Sequence, residues 1–135
     1  MTNEDVHLTN PDQAFEFADE TGIDALAVAI GTIHGFYKSK PNIRLGLLEK
    51  IAQKVAIPLV LHGGSGTPDT DVRKAISVGI AKVNICTELV AAFADTFVNE
   101  HDEQDFRYNV PGVFTKPRAA AMKLVEQKIR LFAGL

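Results

Sequence analysis

A single cysteine, no long apolar run and no cluster of basic residues set the first limits on this 135-residue sequence. One thiol, Cys86, cannot close an internal disulfide, so the chain has no disulfide framework and suits a reducing, cytoplasmic setting. No uninterrupted stretch approaches the roughly 18 apolar residues of a membrane span, and the acidic start Met1-Thr2-Asn3-Glu4-Asp5 is unlike a signal peptide. No membrane is expected as a partner. Fourteen Lys and Arg against 17 Asp and Glu give a formal charge of -3, and without a basic run to follow a phosphate backbone no nucleic acid is expected either. What is present is 46% hydrophobic residues, enough for a substantial core at single-domain length.

Short apolar runs alternate with amphipathic stretches. Thr9-Asn10-Pro11-Asp12 reads as a helix start, with a capping side chain, proline near the first turn and acidic charge toward the positive helix end. Phe15 and Ala18 mark its apolar face and Gly22 its terminator. Residues 25–30 are a nearly continuous apolar run, the pattern of a strand covered on both sides, and lead through Gly31-Thr32-Ile33 to His34. Further strands are expected over 58–61 and 81–85, and helices over 45–55, 67–78 and 87–97, the first burying some of Leu47, Leu48 and Ile51. Three strand-loop-helix units in sequence argue for an α/β fold with parallel strands.

The loop 35–41 is long enough to be functional rather than a minimal turn. Residues 98–114 are mostly polar and aperiodic, as in a connector, a lid or a partner-binding segment. Thr115-Lys116-Pro117 then leads into a terminal amphipathic helix with Ala121, Val125, Ile129 and Phe132 close to one face. Three strands form a small sheet with two edges to protect, which points to the later part of a larger α/β barrel.

His34, His62 and Asn84 each end one of the apolar runs, and polar groups at successive strand ends form one site at the rim of a parallel sheet or barrel. Neutral imidazole is a good zinc ligand, yet two histidines fit a metal site, a polar acid-base site or unrelated structural positions alike. His7 and His101 lack that setting and read as structural or surface residues. In His62-Gly63-Gly64-Ser65-Gly66 the glycines let backbone N–H groups approach a ligand and the Ser65 hydroxyl adds a donor, which suits phosphate or an ordinary loop. Thr87 opens a helix whose unpaired N–H groups suit an anion, with local capping as the plain alternative. Asn84 suits orientation of a substrate oxygen, and Cys86, between apolar neighbours, reads as small packing. Lys82 shares strand parity with Asn84, so both are expected to face the interior; Lys82 suits a phosphate, a core carboxylate or a carbonyl as a Schiff-base nucleophile. Asp24, Asp69, Asp71 and Glu88 read as capping or surface groups.

Taken together, Gly31-Thr32-Ile33-His34-Gly35, Leu61-His62-Gly63-Gly64-Ser65-Gly66 and Lys82-Val83-Asn84-Ile85-Cys86-Thr87 resemble the class II, metal-dependent ketose-bisphosphate aldolases. The Thr9-Asn10-Pro11 segment and the run from Gly22 to Ile30 are most similar to the tagatose-bisphosphate aldolase branch. The resemblance implies a partial TIM (β/α)8 barrel, with residues 1–135 as its carboxy-terminal portion: about the last three strands, their helices and a terminal helix. It implies Zn2+ held by His34 and His62. Gly35, Gly63, Gly64, Ser65, Asn84, Ile85, Cys86 and Thr87 would bind dihydroxyacetone phosphate, with Asn84 orienting it. The implied reaction is reversible cleavage of tagatose or fructose 1,6-bisphosphate to dihydroxyacetone phosphate and glyceraldehyde 3-phosphate.

The family's catalytic aspartate and third zinc-binding histidine adjoin one another in the earlier half of the barrel, which this sequence does not contain. His101-Asp102 has the reversed order and lies in the polar late segment. The expected partners are therefore a sugar bisphosphate or dihydroxyacetone phosphate, the missing upstream barrel half, and a second copy in a homo-oligomer, with this portion inactive by itself. The competing readings are a non-catalytic phosphate-binding or subunit-packing remnant, and a Schiff-base aldolase using Lys82.

Overall fold

The computed structural model describes residues 7–33, 35, 42–100 and 107–135; His34, residues 36–41 and the His101-Asp102 pair lie outside the described residues. The chain divides into two compact units, Met1–Ile85 and Cys86–Leu135.

In the first unit the elements run α1 (Pro11–Thr21), β1 (Leu26–Ala27), α2 (Leu45–Lys54), β2 (Leu59–Leu61), α3 (Asp69–Val78) and β3 (Ile80–Val83). The strands form one parallel sheet in the order β1-β2-β3. Helix α1 starts where the sequence places it: Asn10 Oδ1 accepts from the Asp12 and Gln13 N–H groups at 2.9 and 3.2 Å, and Pro11 occupies the first turn. It stops at Gly22, whose φ of 61° is the left-handed conformation that a glycine adopts without steric cost. Its buried residue is Ala14, with Ala18 packed partly against the core. Phe15, expected on the buried face, is exposed, because the stripe in register with Ala14 and Ala18 is the one that turns inward.

All three residues of β2 are buried, as the central strand of a sheet covered on both faces requires. Its Leu59 and Leu61 belong to one core cluster with Ile30, Leu48, Ile51, Val28, Val55, Ala75 and Ile80. Each large side chain buried there contributes on the order of 1.5–3 kcal/mol.

The first strand is shorter than the apolar run 25–30. Past Ala27 the backbone keeps a ladder bond, Val28 N–H to Val60 O at 3.3 Å, while both groups of Ala29 and the Ile30 carbonyl are taken from outside the sheet. Thr9 N–H donates to Ala29 O at 2.9 Å, Ala29 N–H donates to Thr9 Oγ1 at 2.8 Å, and Arg44 N–H donates to Ile30 O at 2.8 Å.

A register irregularity separates β2 from β3: Leu59 pairs with Ile80, but Val60 pairs with Lys82 and Leu61 with Val83. Ala81 is the extra residue, a bulge that shifts everything after it by one position.

The second unit contains α4 (Thr87–Asn99), α5 (Val110–Val113) and α6 (Thr115–Phe132). The polar segment 98–114 thus holds a short helix, capped by Asn109 Oδ1 on the Gly112 N–H at 3.1 Å. Phe93, Phe97 and Phe114 stack with ring centroids 5.7–6.5 Å apart. Lys128 of α6 lies 2.7 Å from Glu88 in the first turn of α4, both mostly shielded from water. Val125 and Ile129 line an open groove of about 730 Å³ with Leu89, Ala121 and Met122, and are exposed rather than buried. Among the described residues no helix is long and apolar enough to cross a membrane.

Candidate functional site

Parallel pairing brings the carboxy-terminal ends of β1, β2 and β3 side by side, so the segments that follow them meet at one edge of the sheet. Thr32, following β1, donates its hydroxyl proton to His62 O at 2.6 Å and ties the first segment to the second.

Directly after His62 the chain passes Gly63 with φ 69°, and a Cβ there would strike the backbone carbonyl of Ile33. Gly64 donates its N–H to Asn84 O at 3.2 Å; a Cβ at Gly64 would lie 2.7 Å from Val83 Cγ1 and 2.9 Å from Ile85 Cδ1. The glycine pair thus lets three backbone segments approach more closely than side chains permit. Gly66, with φ 74°, completes the turn, and Thr67 closes it through N–H to Gly64 O at 3.2 Å and Oγ1 to Gly63 O at 3.3 Å. Ser65 is buried within this turn.

The bulge at Ala81 has its effect here. With Leu61 opposite Val83, the next residues in register are His62 and Asn84, and Asn84 N–H donates to Leu61 O at 2.9 Å. Unbroken pairing from Leu59 and Ile80 would set His62 against Val83, whose side chain carries no polar group. Asn84 Nδ2 lies 3.0 Å from His62 Nδ1 and 3.2 Å from Nε2. A nitrogen nearly equidistant from both ring nitrogens sits over the imidazole face, because in the ring plane that position collides with Cε1–H. The amide therefore does not occupy either in-plane nitrogen direction, the direction along which imidazole binds a metal. Lys82 Nζ donates to Asn84 Oδ1 at 2.7 Å.

Of the expected site residues, the structure brings together His62, Gly63, Gly64, Ser65, Asn84 and Ile85 in the first unit. Gly35 is described with φ 92° and open space where a Cβ would be, and His34 lies outside the described residues. Cys86 and Thr87 belong to the second unit, where Thr87 is the first residue of α4. Cys86 is exposed there, which corrects its reading as a packing residue; the strand ends at Val83, before Cys86 could take an inward position. Lys82 is exposed as well, and its Nζ donates to Asn84 on the same strand face.

The exposed imidazole of His62, with its in-plane directions clear of Asn84, suits a single nitrogen ligand to zinc. Among the described residues no group of three or more His, Cys, Asp or Glu side chains is placed to hold a metal ion, so any complete ligand set draws on residues outside them. Sequence reasoning missed the Thr32 tether and the bulge. A polar residue inside an apolar run signals the first, and the small Gly79-Ile80-Ala81 strand entry is the trace of the second.

Comparison with known proteins gives the family. A family model described as class II fructose-bisphosphate aldolase matches residues 1–134. The D-tagatose-1,6-bisphosphate aldolase subunit GatY of Klebsiella oxytoca is 47% identical over 125 residues, 93% of this chain and 44% of that protein. Among solved structures, the YdjI aldolase from Escherichia coli K12 superposes with a TM-score of 0.81 at 41% identity, covering 93% of this chain and 46% of its own. Fructose-bisphosphate aldolase from Campylobacter jejuni, at 23% identity, shares the fold with a TM-score of 0.73 over 93% of this chain and 45% of its own. The chain spans less than half the length of these relatives.

Proposed function

The chain belongs to the class II fructose-bisphosphate aldolase family, and from that premise we propose that residues 1–135 form the carboxy-terminal portion of a (β/α)8 barrel cleaving a ketose 1,6-bisphosphate. The products are dihydroxyacetone phosphate and glyceraldehyde 3-phosphate, and the substrate is tagatose or fructose 1,6-bisphosphate. The observation that carries this reading is the pairing of His62 with Asn84 beside the glycine turn, all on one edge of a parallel sheet. In barrels of this kind the carboxy-terminal strand ends build the active site.

His34 and His62 would hold Zn2+, with the remaining donor supplied from outside this chain. When bound, the metal supplies Lewis-acid polarisation of the substrate ketone. The backbone of Gly63, Gly64 and Ser65 would bind the phosphate end, joined by Gly35 and Ile85. Asn84, whose amide N–H groups point toward His62, would hold the ketone oxygen, which gains negative charge when the bond between carbons 3 and 4 breaks in cleavage, or when a proton leaves the neighbouring carbon in the reverse condensation. The carboxylate that gives or takes the proton at that carbon would come from an upstream barrel half, the partner that completes the reaction. The setting is cytoplasmic, and the completed barrel associates with further copies.

The test is an assay of triose-phosphate release from both sugars with zinc, using this chain alone and after addition of an upstream half carrying an Asp-His pair. Release that needs both parts and stops on chelation supports the proposal. Binding of dihydroxyacetone phosphate with no cleavage in any combination favours a non-catalytic remnant. Borohydride trapping on Lys82 with chelator-resistant cleavage replaces the metal reading with a Schiff-base one.

A further inference from the structure

The carboxamide of an asparagine has two ends of nearly equal size and opposite hydrogen-bonding character, so its usefulness in a site depends on which end is held where. At Asn84 the two ends have different neighbours: Lys82 Nζ at 2.7 Å from Oδ1, and the face of His62 beside Nδ2. An ammonium group donates and cannot accept, so it tolerates only the carbonyl end. From this geometry we infer that Lys82 is a positioning residue: it fixes the orientation of the Asn84 amide and keeps the N–H donors at His62.

Three features converge on this role. Lys82 and Asn84 lie two residues apart beside β3, so their side chains emerge on the same face of the strand. The bulge at Ala81 brings that pair into register with Val60 and His62, so the lysine and the asparagine reach the strand end together. The Asn84 backbone is fixed on both sides as well, with its N–H on Leu61 O and its carbonyl on Gly64 N–H. With the main chain held, rotation of the carboxamide is the freedom that remains, and a charge-assisted hydrogen bond to its oxygen removes it. The reversed amide would turn its oxygen to His62 and any bound anion, and its N–H groups to the ammonium.

The orienting role stands on the geometry alone. Its bearing on catalysis rests on the aldolase reading, under which the oriented N–H groups meet the oxygen of dihydroxyacetone phosphate that becomes anionic.

The experiment uses the full chain labelled with ¹⁵N, with the Asn84 side-chain resonances assigned by their loss in Asn84→Asp. Protons over an imidazole face are shifted upfield, so the Asn84 amide protons should be displaced from the other asparagines. Lys82→Met should return them toward ordinary values, and Lys82→Arg, which retains a cationic donor, should keep the displacement. Lys82 is exposed, so neither variant threatens the core. Unchanged Asn84 resonances in Lys82→Met, or their loss in Lys82→Arg as well, would overturn the inference. Titration with dihydroxyacetone phosphate separates the two claims: Lys82→Met should bind about tenfold more weakly, the scale of a hydrogen bond to a charged group. Absence of binding to the unaltered chain counts against the aldolase reading, while the resonances still decide the role of Lys82.

Discussion

One added methyl group at three glycines should produce three different results, because each glycine serves a different purpose. Gly46 lies in the first turn of α2 with nothing within 4 Å of an added Cβ. Gly46→Ala should therefore stabilise by about 0.5 kcal/mol, through reduced freedom of the unfolded chain and better helix propensity. Gly64 has ordinary backbone angles, but its Cβ would fall 2.7 Å from Val83 Cγ1, 2.9 Å from Ile85 Cδ1 and 3.0 Å from Asn84 O. The isoleucine tip can swing away, but the β-branched valine is stiff and the Asn84 carbonyl is held by the Gly64 N–H. Gly64→Ala should cost about 2 kcal/mol, within the range for overpacking. Gly63→Ala meets both penalties, a left-handed backbone worth about 1–2 kcal/mol and a collision with the Ile33 carbonyl, for a total of about 3 kcal/mol or more. Urea unfolding followed by far-UV circular dichroism measures all three, at unchanged m-value. The expected order of midpoints is Gly46→Ala, unaltered chain, Gly64→Ala, Gly63→Ala. A Gly64→Ala midpoint equal to that of the unaltered chain would refute the close packing of the β2 and β3 ends.

Asn10→Ala removes the cap of α1 and should cost about 1 kcal/mol, read as a lower urea midpoint, whereas Asn10→Asp should cost little. Thr32→Val keeps the shape but loses the bond to His62 O; a loss of about 1 kcal/mol is expected, also from the urea midpoint. The two ion pairs of α6 should differ. Lys128→Met breaks the shielded pair with Glu88 and should cost about 1–3 kcal/mol, the scale of a hydrogen bond to a charged group. Arg130→Met breaks only the exposed pair with Glu126 and should cost at most about 0.5 kcal/mol; thermal unfolding of the two variants checks the contrast.

The sequence makes the alternation of strands and helices readable because each β-run is apolar throughout and each helix carries its own stop and start signals. Asn10, Pro11 and Gly22 act locally, and local signals survive folding unchanged. The first strand was less legible: residues 28–30 are as apolar as residues 26–27, and only the distant Thr9 and Arg44 decide that they leave the ladder. Phe15 misleads for a related reason, since size suggested burial while the inward stripe belongs to Ala14 and Ala18. At the candidate site, the residue types at the strand ends were visible as His62, the glycine turn and Asn84. Their register was not, because a one-residue bulge leaves hydrophobicity almost unchanged while changing which side chains become neighbours. Lys82 was legible as sharing a face with Asn84, but not as its hydrogen-bond donor.

The bonds between Thr9 and Ala29 also bear on how the chain avoids assembling incorrectly. A single residue takes up both the donor and the acceptor that Ala29 turns away from β2, using a backbone N–H for one and a side-chain hydroxyl for the other. An incoming strand from another molecule would find those positions already capped just past the end of β1. Strand addition past the end of β1 is thus resisted at that point by a threonine clamp, which leaves β1 itself as an edge on which a barrel can continue.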